Sequence, residues 1–238
     1  MSTADWQRVQ PHPVLAAGDI HVWRIRLDSP ESDESPLSED ELQRAQRLLD
    51  ARKRHQFRAG RAALRNLLGA YTGTPPRELP FAFGPHGKPF LPDSPLQFNF
   101  SNSGELGLLA VCCDREVGID IEYRDRNISV QRLAAHIFTA DEAAAFQQLA
   151  DAERHAALLA AWTRKEAYIK ALGRGFSLPL NSFSVAVPAD GEPAVLQLPD
   201  EAGSPQPWQL IPLTVHPDYL ATLAAAGTDW TPRCFDGQ

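Results

Sequence analysis

The stretch WTRKEAYIKALGRG, residues 162–175, has the spacing of a helix but carries charge within its apolar face. On a helical wheel of about 100° per residue, Trp162 and Ile169 belong to one apolar arc, and Lys165 and Glu166 lie inside that arc. A charge taken out of water costs several kcal/mol unless it is paired or ligates a metal. These residues alone leave two explanations open: a structural ion pair at a partly exposed edge, or the charged groups of a binding site.

A second acidic site lies upstream, in EVGIDIEY at residues 116–123. Strand alternation places the valine and the isoleucines on one face and Asp120 with Glu122 on the other. Taken alone, this pair fits the solvated face of an edge strand. With Glu166 it forms an oxygen-only set of three carboxylates, which suits Mg²⁺. The combination therefore favours a metal site over a solvated face.

Basic residues are concentrated between residues 47 and 65, which carry seven of the 23 lysines and arginines. Four of them form one helical stripe beside an apolar stripe: Arg54, Arg58, Arg61 and Arg65. The arginine fork suits phosphate recognition, although a solvated helical face explains this stripe equally well. The loop GPHGKPF, residues 84–90, adds Lys88 where glycine lets the backbone approach a ligand closely. These features together predict a Mg²⁺-dependent site for a phosphorylated small molecule.

Composition and charge exclude several classes of protein. The 238 residues are 43% hydrophobic and 22% charged, which is typical of a folded globular protein. The net charge of −7 argues against binding to a nucleic-acid backbone. No apolar run reaches the roughly 18 residues of a membrane-spanning helix, and the first residues lack the order of a secretory signal. We therefore predict a cytoplasmic protein without a membrane or nucleic-acid partner.

The predicted elements follow the order strand, helix, strands, helix, strands, which indicates an α+β fold. The two helical regions begin at capping boxes, Ser38 with Glu41 and Thr139 with Glu142. They extend, with breaks near residues 50 and 151, to about residues 71 and 172. Strands are predicted at residues 18–28, 96–101, 106–113, 116–123, 183–188, 194–199, 208–213 and 219–226. A faint similarity between the strand pairs suggests a duplication into two α/β halves, residues 1–115 and 116–238.

Four motifs in this chain resemble those of the Sfp-type 4′-phosphopantetheinyl transferases: GPHGKPFL, FNFSNSG, VGIDIE and WTRKEAYIKALGRGFSLPL. They keep the order and approximate spacing of that family from about residue 50 to residue 185. The resemblance implies two similar halves related by a pseudo-twofold axis, with the active site in the cleft between them. It also implies a cytoplasmic monomer that transfers the 4′-phosphopantetheine arm of coenzyme A to a serine of an apo acyl or peptidyl carrier protein. Such a transfer releases 3′,5′-ADP and activates fatty acid, polyketide or nonribosomal peptide synthases.

The resemblance also assigns roles to individual residues. The carboxylates that would hold Mg²⁺ against the pyrophosphate are Asp120, Glu122 and Glu166. The residues that would contact coenzyme A are Arg61, Lys88, Pro89, Ser101, Asn102, Lys165 and Lys170. Within that set, Lys88 and Pro89 border the pocket for adenine and the 3′-phosphate, and both other lysines face the pyrophosphate. Lys170 helps the leaving phosphate, and either Glu166 or Glu122 takes the serine proton.

One position departs from the family pattern. Members commonly have histidine in the turn that reads Ser-Asn-Ser here, so Asn102 can donate a hydrogen bond to a phosphate but brings no charge. Either coenzyme A binds more weakly, or Arg61 and its neighbours carry more of the phosphate contact. The loop after Glu122 contains Arg124, Arg126 and Arg132, in the region that lies near the carrier in that family. A local basic rim suits carriers, which are commonly acidic, and solvent-exposed loop charge is the alternative.

Two other functions fit parts of the pattern. Asp120, Glu166 and a nearby lysine resemble the acid-acid-lysine set of metal-dependent nucleases. In those enzymes the lysine follows the second acid by two residues on a strand, whereas Lys170 follows by four on a predicted helix. The other alternative is a non-catalytic module that binds coenzyme A or a carrier. Retention of all three carboxylates and Lys170 argues against that module.

Overall fold

The computed structural model describes residues 5–8, 14–29, 33–126, 128–187, 195–196 and 207–237. The helices are α1 (Glu39–Gln46), α2 (Ala51–Thr72), α3 (Val130–Ile137), α4 (Ala140–Gln147) and α5 (Asp151–Leu172). The strands are β1 (Gln7–Arg8), β2 (Asp19–Arg26), β3 (Ala82–Phe83), β4 (Pro89–Phe90), β5 (Leu96–Ser103), β6 (Leu106–Cys113), β7 (Val117–Tyr123), β8 (Val195–Leu196), β9 (Trp208–Pro212), β10 (Tyr219–Ala226) and β11 (Thr231–Asp236). This content confirms the predicted α+β class.

Local hydrogen bonds explain where the helices begin and end. Ser38 and Glu41 form a reciprocal capping box at the start of α1. Asp50 then caps α2 by accepting the backbone N–H of Lys53 at 2.9 Å, which accounts for the break between the two helices. Gly73 ends α2 in the left-handed conformation, with φ of 69°. The second helical region repeats this pattern, with a capping box on α4 and a left-handed glycine after α5.

Two sheets form the centre of the fold. The first has five strands in the order β1-β11-β2-β6-β5, and the second has four in the order β7-β10-β9-β8. In the first sheet β11 runs parallel to both of its neighbours, whereas β2, β6 and β5 pair in antiparallel fashion. A separate hairpin pairs β3 with β4. The hairpin carries the GPHGKPF loop at its turn.

Apolar side chains define three packed regions. One lies between the sheets and contains Ile20 and Val22 of β2 together with Ile119 of β7 and Leu223 of β10. The opposite face of the first sheet packs against α2, and the opposite face of the second sheet packs against α5. Because strand residues alternate between faces, Asp120 must point to the side that α5 covers. The core pattern therefore directs the acidic face of β7 toward α5.

Most predicted strands are confirmed, and one is wrong. Residues 183–187 form no strand. The backbone N–H of Val185 donates a hydrogen bond to the Glu142 carboxylate at 2.6 Å and not to a neighbouring strand. Of the run at 194–199, only β8 falls within the described residues. The sequence patterns missed α3 and β11, which have no strong cap or alternation of their own.

The proposed boundary between halves at residues 115 and 116 lies in the connection from β6 to β7. The first sheet is not made of the first half alone, because β11 belongs to it. Within the described part of the chain, no helix is long and apolar enough to cross a membrane.

Candidate active site

The two sheets meet along β5 and β7, and polar side chains join them. Asn99 of β5 accepts the backbone N–H of Ile119 at 2.8 Å through its side-chain oxygen. Two residues further along β5, the Ser101 hydroxyl donates to Asp120 Oδ1 at 2.9 Å. The next residue on the same face, Ser103, donates to Glu122 Oε2 at 3.0 Å. The period of two on both strands thus places a hydroxyl opposite each carboxylate.

Helix α5 crosses β7 at unusually close range. A Cβ atom on Gly118 would lie 2.0 Å from the backbone oxygen of Ala167 and 2.4 Å from the backbone nitrogen of Ala171. Only glycine therefore permits this approach. The crossing brings Lys170 beside Asp120, with 2.6 Å between Lys170 Nζ and Asp120 Oδ1. The same ammonium group donates to the Ser101 hydroxyl at 2.8 Å.

The three predicted carboxylates share one electrostatic environment. Burial raises the pKa of Asp120 above its usual range, and the opposing effect of Lys170 is smaller. Burial also raises the pKa values of Glu122 and Glu166, and in each case the charge of Asp120 adds to the rise. Like charges held out of water favour either a proton or a cation between them. This environment is what a cation-binding site requires.

The three carboxylates differ in their hydrogen-bond partners. Asp120 Oδ2 and Glu166 Oε1 are buried, and neither has a hydrogen-bond partner among the described residues. Glu122 is instead held on both oxygens, by Ser103, by Trp162 Nε1 at 3.0 Å and by an ion pair with Arg126. In their present positions, no three acidic, histidine or cysteine side chains of the described residues are grouped as metal ligands. A cation bound here would therefore draw Glu122 away from some of these partners.

A cavity of about 340 Å³ opens beside this cluster. Its walls are the loop at residues 86–89, the side chain of Asn99, and Glu166, Ile169 and Lys170 of α5. The cavity therefore brings the predicted residues Lys88 and Pro89 together with Glu166 and Lys170. Ser101 lies behind it as a buried link between Lys170 and Asp120. Asn102, the next residue on β5, is exposed.

Lys165 lies away from this cavity, although it was expected to face the pyrophosphate. Its side chain is 0% exposed, and its Nζ lies 2.7 Å from Glu142 Oε2. The same ammonium group donates to the backbone oxygens of Leu180 at 2.7 Å and Phe183 at 2.6 Å. All three N–H bonds are therefore used inside the protein, and none remains for a phosphate. These two adjacent residues of α5 therefore point in different directions: Lys165 lies in the protein core, and Glu166 lines the cavity.

Arg61 also has internal partners. Its Nε donates to Glu41 Oε1 at 2.6 Å, and its guanidinium group lies 4.9 Å from the centre of the Phe81 ring. Arg65 binds the other oxygen of Glu41 at 2.6 Å. The stripe predicted for phosphate recognition therefore includes a buried arginine–glutamate cluster that ties α2 to α1.

Lys88 takes an unexpected position. Its Nζ donates to the backbone oxygen of Val117 at 3.0 Å and to that of Ala171 at 2.7 Å. Burial lowers the pKa of this lysine to about 8. Its aliphatic stem lines the cavity, while its ammonium group points into the junction of β7 and α5.

Several residues of the site were not found from the sequence. Ser103 follows Ser101 on the same face of β5, so strand alternation was a usable signal for it. Trp162 precedes Glu166 by one helical turn, but its place on the apolar arc indicates only a core residue. Asn99 belongs to the motif FNFSNSG, Arg126 to the basic loop after Glu122, and Glu142 to a capping box, but these patterns do not predict the contacts that the three residues make, because those contacts depend on which elements become neighbours.

The sequence of this chain is similar to those of several known proteins. The model of the 4′-phosphopantetheinyl transferase superfamily matches residues 116–224, which include β7 and α5. The chain is 36% identical over 236 residues to the 4′-phosphopantetheinyl transferase HetI from Nostoc sp., and the match covers 96% of each chain. It is 29% identical over 218 residues to the 4′-phosphopantetheinyl transferase Sfp from Bacillus subtilis, covering 89% of this chain and 94% of the other.

A putative 4′-phosphopantetheinyl transferase from Synechocystis sp. is 30% identical over 194 residues, covering 79% of this chain and 77% of the other. Identity at this level over almost the whole length, as with HetI, requires a shared family. The chain belongs to the 4′-phosphopantetheinyl transferase family.

Proposed function

We propose that this protein is a Mg²⁺-dependent transferase that moves 4′-phosphopantetheine from coenzyme A to a serine hydroxyl of an apo acyl or peptidyl carrier protein. The product besides the modified carrier is 3′,5′-ADP. One observation carries the proposal: Lys170 and Glu166 line one cavity, Lys170 contacts Asp120, and each of the two carboxylates has a buried oxygen without a hydrogen-bond partner among the described residues. We further propose a cytoplasmic monomer with an active cleft between halves 1–115 and 116–238.

The residues that would hold Mg²⁺ are Asp120, Glu166 and Glu122. The unpartnered oxygens of Asp120 and Glu166 fit this role, because a buried carboxylate oxygen needs a positive or hydrogen-bonding partner. A bound Mg²⁺ supplies charge neutralisation for the pyrophosphate. Glu122 is held at this edge of β7 by Ser103, Trp162 and Arg126, and it would leave some of these partners on binding the cation.

Lys170 is proposed to act on the leaving phosphate. It stands on the last turn of α5, and its side chain is 29% exposed toward the cavity while Asp120 and Ser101 fix its direction. An ammonium group in this position balances the negative charge that builds up on the leaving group. Coenzyme A would lie along the cavity, past Pro89 and the stem of Lys88, with the exposed Asn102 toward its 3′-phosphate. Arg61 and Ser101 would contact that phosphate only by leaving Glu41 and Asp120, their present partners.

Glu166 is the better of the two candidates for the base. Its Oε1 has no hydrogen-bond partner among the described residues, and the residue lines the cavity. Both oxygens of Glu122 are already engaged by Ser103, Trp162 and Arg126. We therefore assign removal of the serine proton to Glu166, directly or through a water.

The test is incubation with coenzyme A, Mg²⁺ and a panel of apo acyl and peptidyl carrier proteins, followed by intact-mass spectrometry. We expect at least one carrier to gain the mass of one 4′-phosphopantetheine group. A chelator should prevent the gain, and a carrier whose acceptor serine is replaced by alanine should remain unmodified. Absence of any mass gain across the panel would reject the proposed function.

A further inference from the structure

The crossing of β7 and α5 sets the geometry of the proposed site. Gly118 faces α5 at the point of closest approach, and Asp120 follows it on the same face of the strand. On the helix, the facing residue Ala171 directly follows Lys170. The 2.6 Å contact between Lys170 and Asp120 therefore depends on how closely, and in what register, the two elements cross.

Backbone oxygens from both elements converge at this crossing. Ala171 lies in the last turn of α5, where the backbone oxygens lack partners within the helix and the helix end carries partial negative charge. The backbone oxygen of Val117, at the start of β7, reaches the same place. Two oxygens held together out of water repel each other unless a donor lies between them.

Lys88 supplies that donor from a third element. A tight turn fixes its backbone, since the Gly84 N–H donates to the Lys88 oxygen at 2.9 Å and β4 begins at the next residue. Its stem passes so close to the end of α5 that a Cβ on Gly173 would lie 3.1 Å from Lys88 Cδ. The ammonium group then bridges the oxygens of Val117 and Ala171.

We infer that Lys88 is a positioning residue: its ammonium group clamps β7 to the end of α5 and so holds Asp120 and Lys170 at working distance. This inference rests on the proposed function, and it gives Lys88 a task other than direct contact with a phosphate of coenzyme A. Two of the three N–H bonds of Lys88 are engaged by backbone oxygens, and the group is directed into the junction.

The test compares Lys88→Met, Lys88→Arg and a matched control, Lys53→Met, which makes the same change at an exposed lysine of α2. Steady-state kinetics should be measured with coenzyme A and with dephospho-coenzyme A, which lacks the 3′-phosphate. For Lys88→Met we expect kcat to fall by about 10²-fold, because small displacements of reacting groups cost that much. We expect KM for coenzyme A to change little and the preference for coenzyme A over its dephospho form to stay as in the parent.

Lys88→Arg should recover part of kcat, since a guanidinium group can also donate to two oxygens. Lys53→Met should match the parent. A rise in KM with unchanged kcat, together with a loss of preference for coenzyme A, would overturn the inference and assign Lys88 to the phosphate. If Lys88→Met does not fold, the same kinetics are measured with Lys88→Arg. An unchanged preference for coenzyme A over dephospho-coenzyme A then supports the inference, and a lost preference overturns it.

A second measurement separates this inference from the proposed function. Hydrogen exchange followed by mass spectrometry should show faster exchange at residues 117–122 and 166–172 in Lys88→Met than in the parent or in Lys53→Met. Unchanged protection in both segments would overturn the clamp. If the parent transfers nothing to any carrier, the proposed function fails while the exchange experiment still tests the clamp.

Discussion

Two neighbouring residues, Lys165 and Glu166, account for the charge within the apolar face of α5 in different ways. Lys165 is part of a buried ion pair with Glu142, and the same glutamate also accepts the backbone N–H groups of Thr139 and Val185. Glu166 reaches the cavity with an unpartnered oxygen. Lys165 thus forms a structural ion pair, buried instead of lying at a partly exposed edge, and Glu166 remains the candidate for a binding site.

Lys165→Met should be strongly destabilising. The substitution leaves Glu142 buried without its cation, which typically costs about 3–5 kcal/mol. The free energy of unfolding from urea titration measures the loss. The double variant Lys165→Met, Glu142→Gln should recover part of it, because the unpaired charge is then removed. A loss below about 1 kcal/mol, the size expected of a surface pair, would contradict this role.

Glu166→Gln should abolish transfer without weakening the fold. Burial and Asp120 raise the pKa of Glu166 above 4.5 in the folded protein, so ionisation of this group opposes folding. The usual pKa of a glutamate is about 4.5. As the pH rises above this value and through the higher pKa of Glu166 in the folded state, the parent should lose stability relative to Glu166→Gln. The measurement is the midpoint of thermal unfolding of both proteins between pH 4 and pH 8, with a chelator present. This range begins near the pKa of an exposed glutamate.

A decline in stability of Glu166→Gln relative to the parent at neutral pH would contradict this assignment. Such a result would mean that the carboxylate is a structural partner in the fold. Intact-mass assays on the same samples show whether transfer is lost while the protein stays folded.

At the scale of elements, the contact between β7 and α5 is the tightest constraint near the site. Gly118→Ala should push the two elements apart, because the new methyl group would lie 2.0 Å from the Ala167 oxygen. Overpacking of this kind typically costs about 1–3 kcal/mol. Transfer should fall as well, since Asp120 and Lys170 separate. Gly84→Ala is a matched control, because its Cβ would meet nothing closer than the Lys88 oxygen at 3.7 Å.

Chemical denaturation and the transfer assay on both glycine variants test this expectation. A Gly118→Ala protein with the stability and activity of Gly84→Ala would show that the crossing can widen without consequence.

Elements with local signals were predictable, and those defined by distant partners were not. The capping boxes of α1 and α4 and the alternation of β7 arise from residues a few positions apart. The strand β11 pairs with β2 far away in the sequence, and its run TPRCFD carries a proline and little alternation. The expected strand at 183–188 failed because the side chain of Glu142 takes a backbone donor that the pattern assigned to a neighbouring strand.

The same limit applies to the site. Asp120, Glu122, Glu166 and Lys170 were predictable as one site because two elements with clear periodicity carry them. The positions of Lys165 and Arg61 were not predictable, because a helical wheel shows toward which face of the helix a side chain points but does not identify the residue that it contacts. The sequence pattern around their partners, Glu142 and Glu41, indicates only capping boxes and not ion pairs with these basic residues.

For the whole molecule, β11 is the element that joins the two ends of the chain. It lies between β1 and β2 and buries Cys234 and Phe235. Deletion of residues 228–238 should therefore prevent cooperative unfolding, because β2 loses a complete ladder of backbone hydrogen bonds. Deletion of residues 237–238 is the matched control, since β11 remains. Circular dichroism during heating distinguishes them, and a sharp transition in the longer deletion would contradict the expectation.

The place of β11 also bears on how the protein is made. The ribosome releases β2, β6 and β5 early, but the neighbour of β2 in the first sheet is completed only when residue 236 emerges. Until then, one edge of β2 offers unpaired backbone groups to any other strand. Long-range pairing of this kind is slow and exposes partly folded chains to aggregation. We therefore expect a nascent or prematurely terminated chain to expose this edge of β2 until β11 has been synthesised and pairs with it.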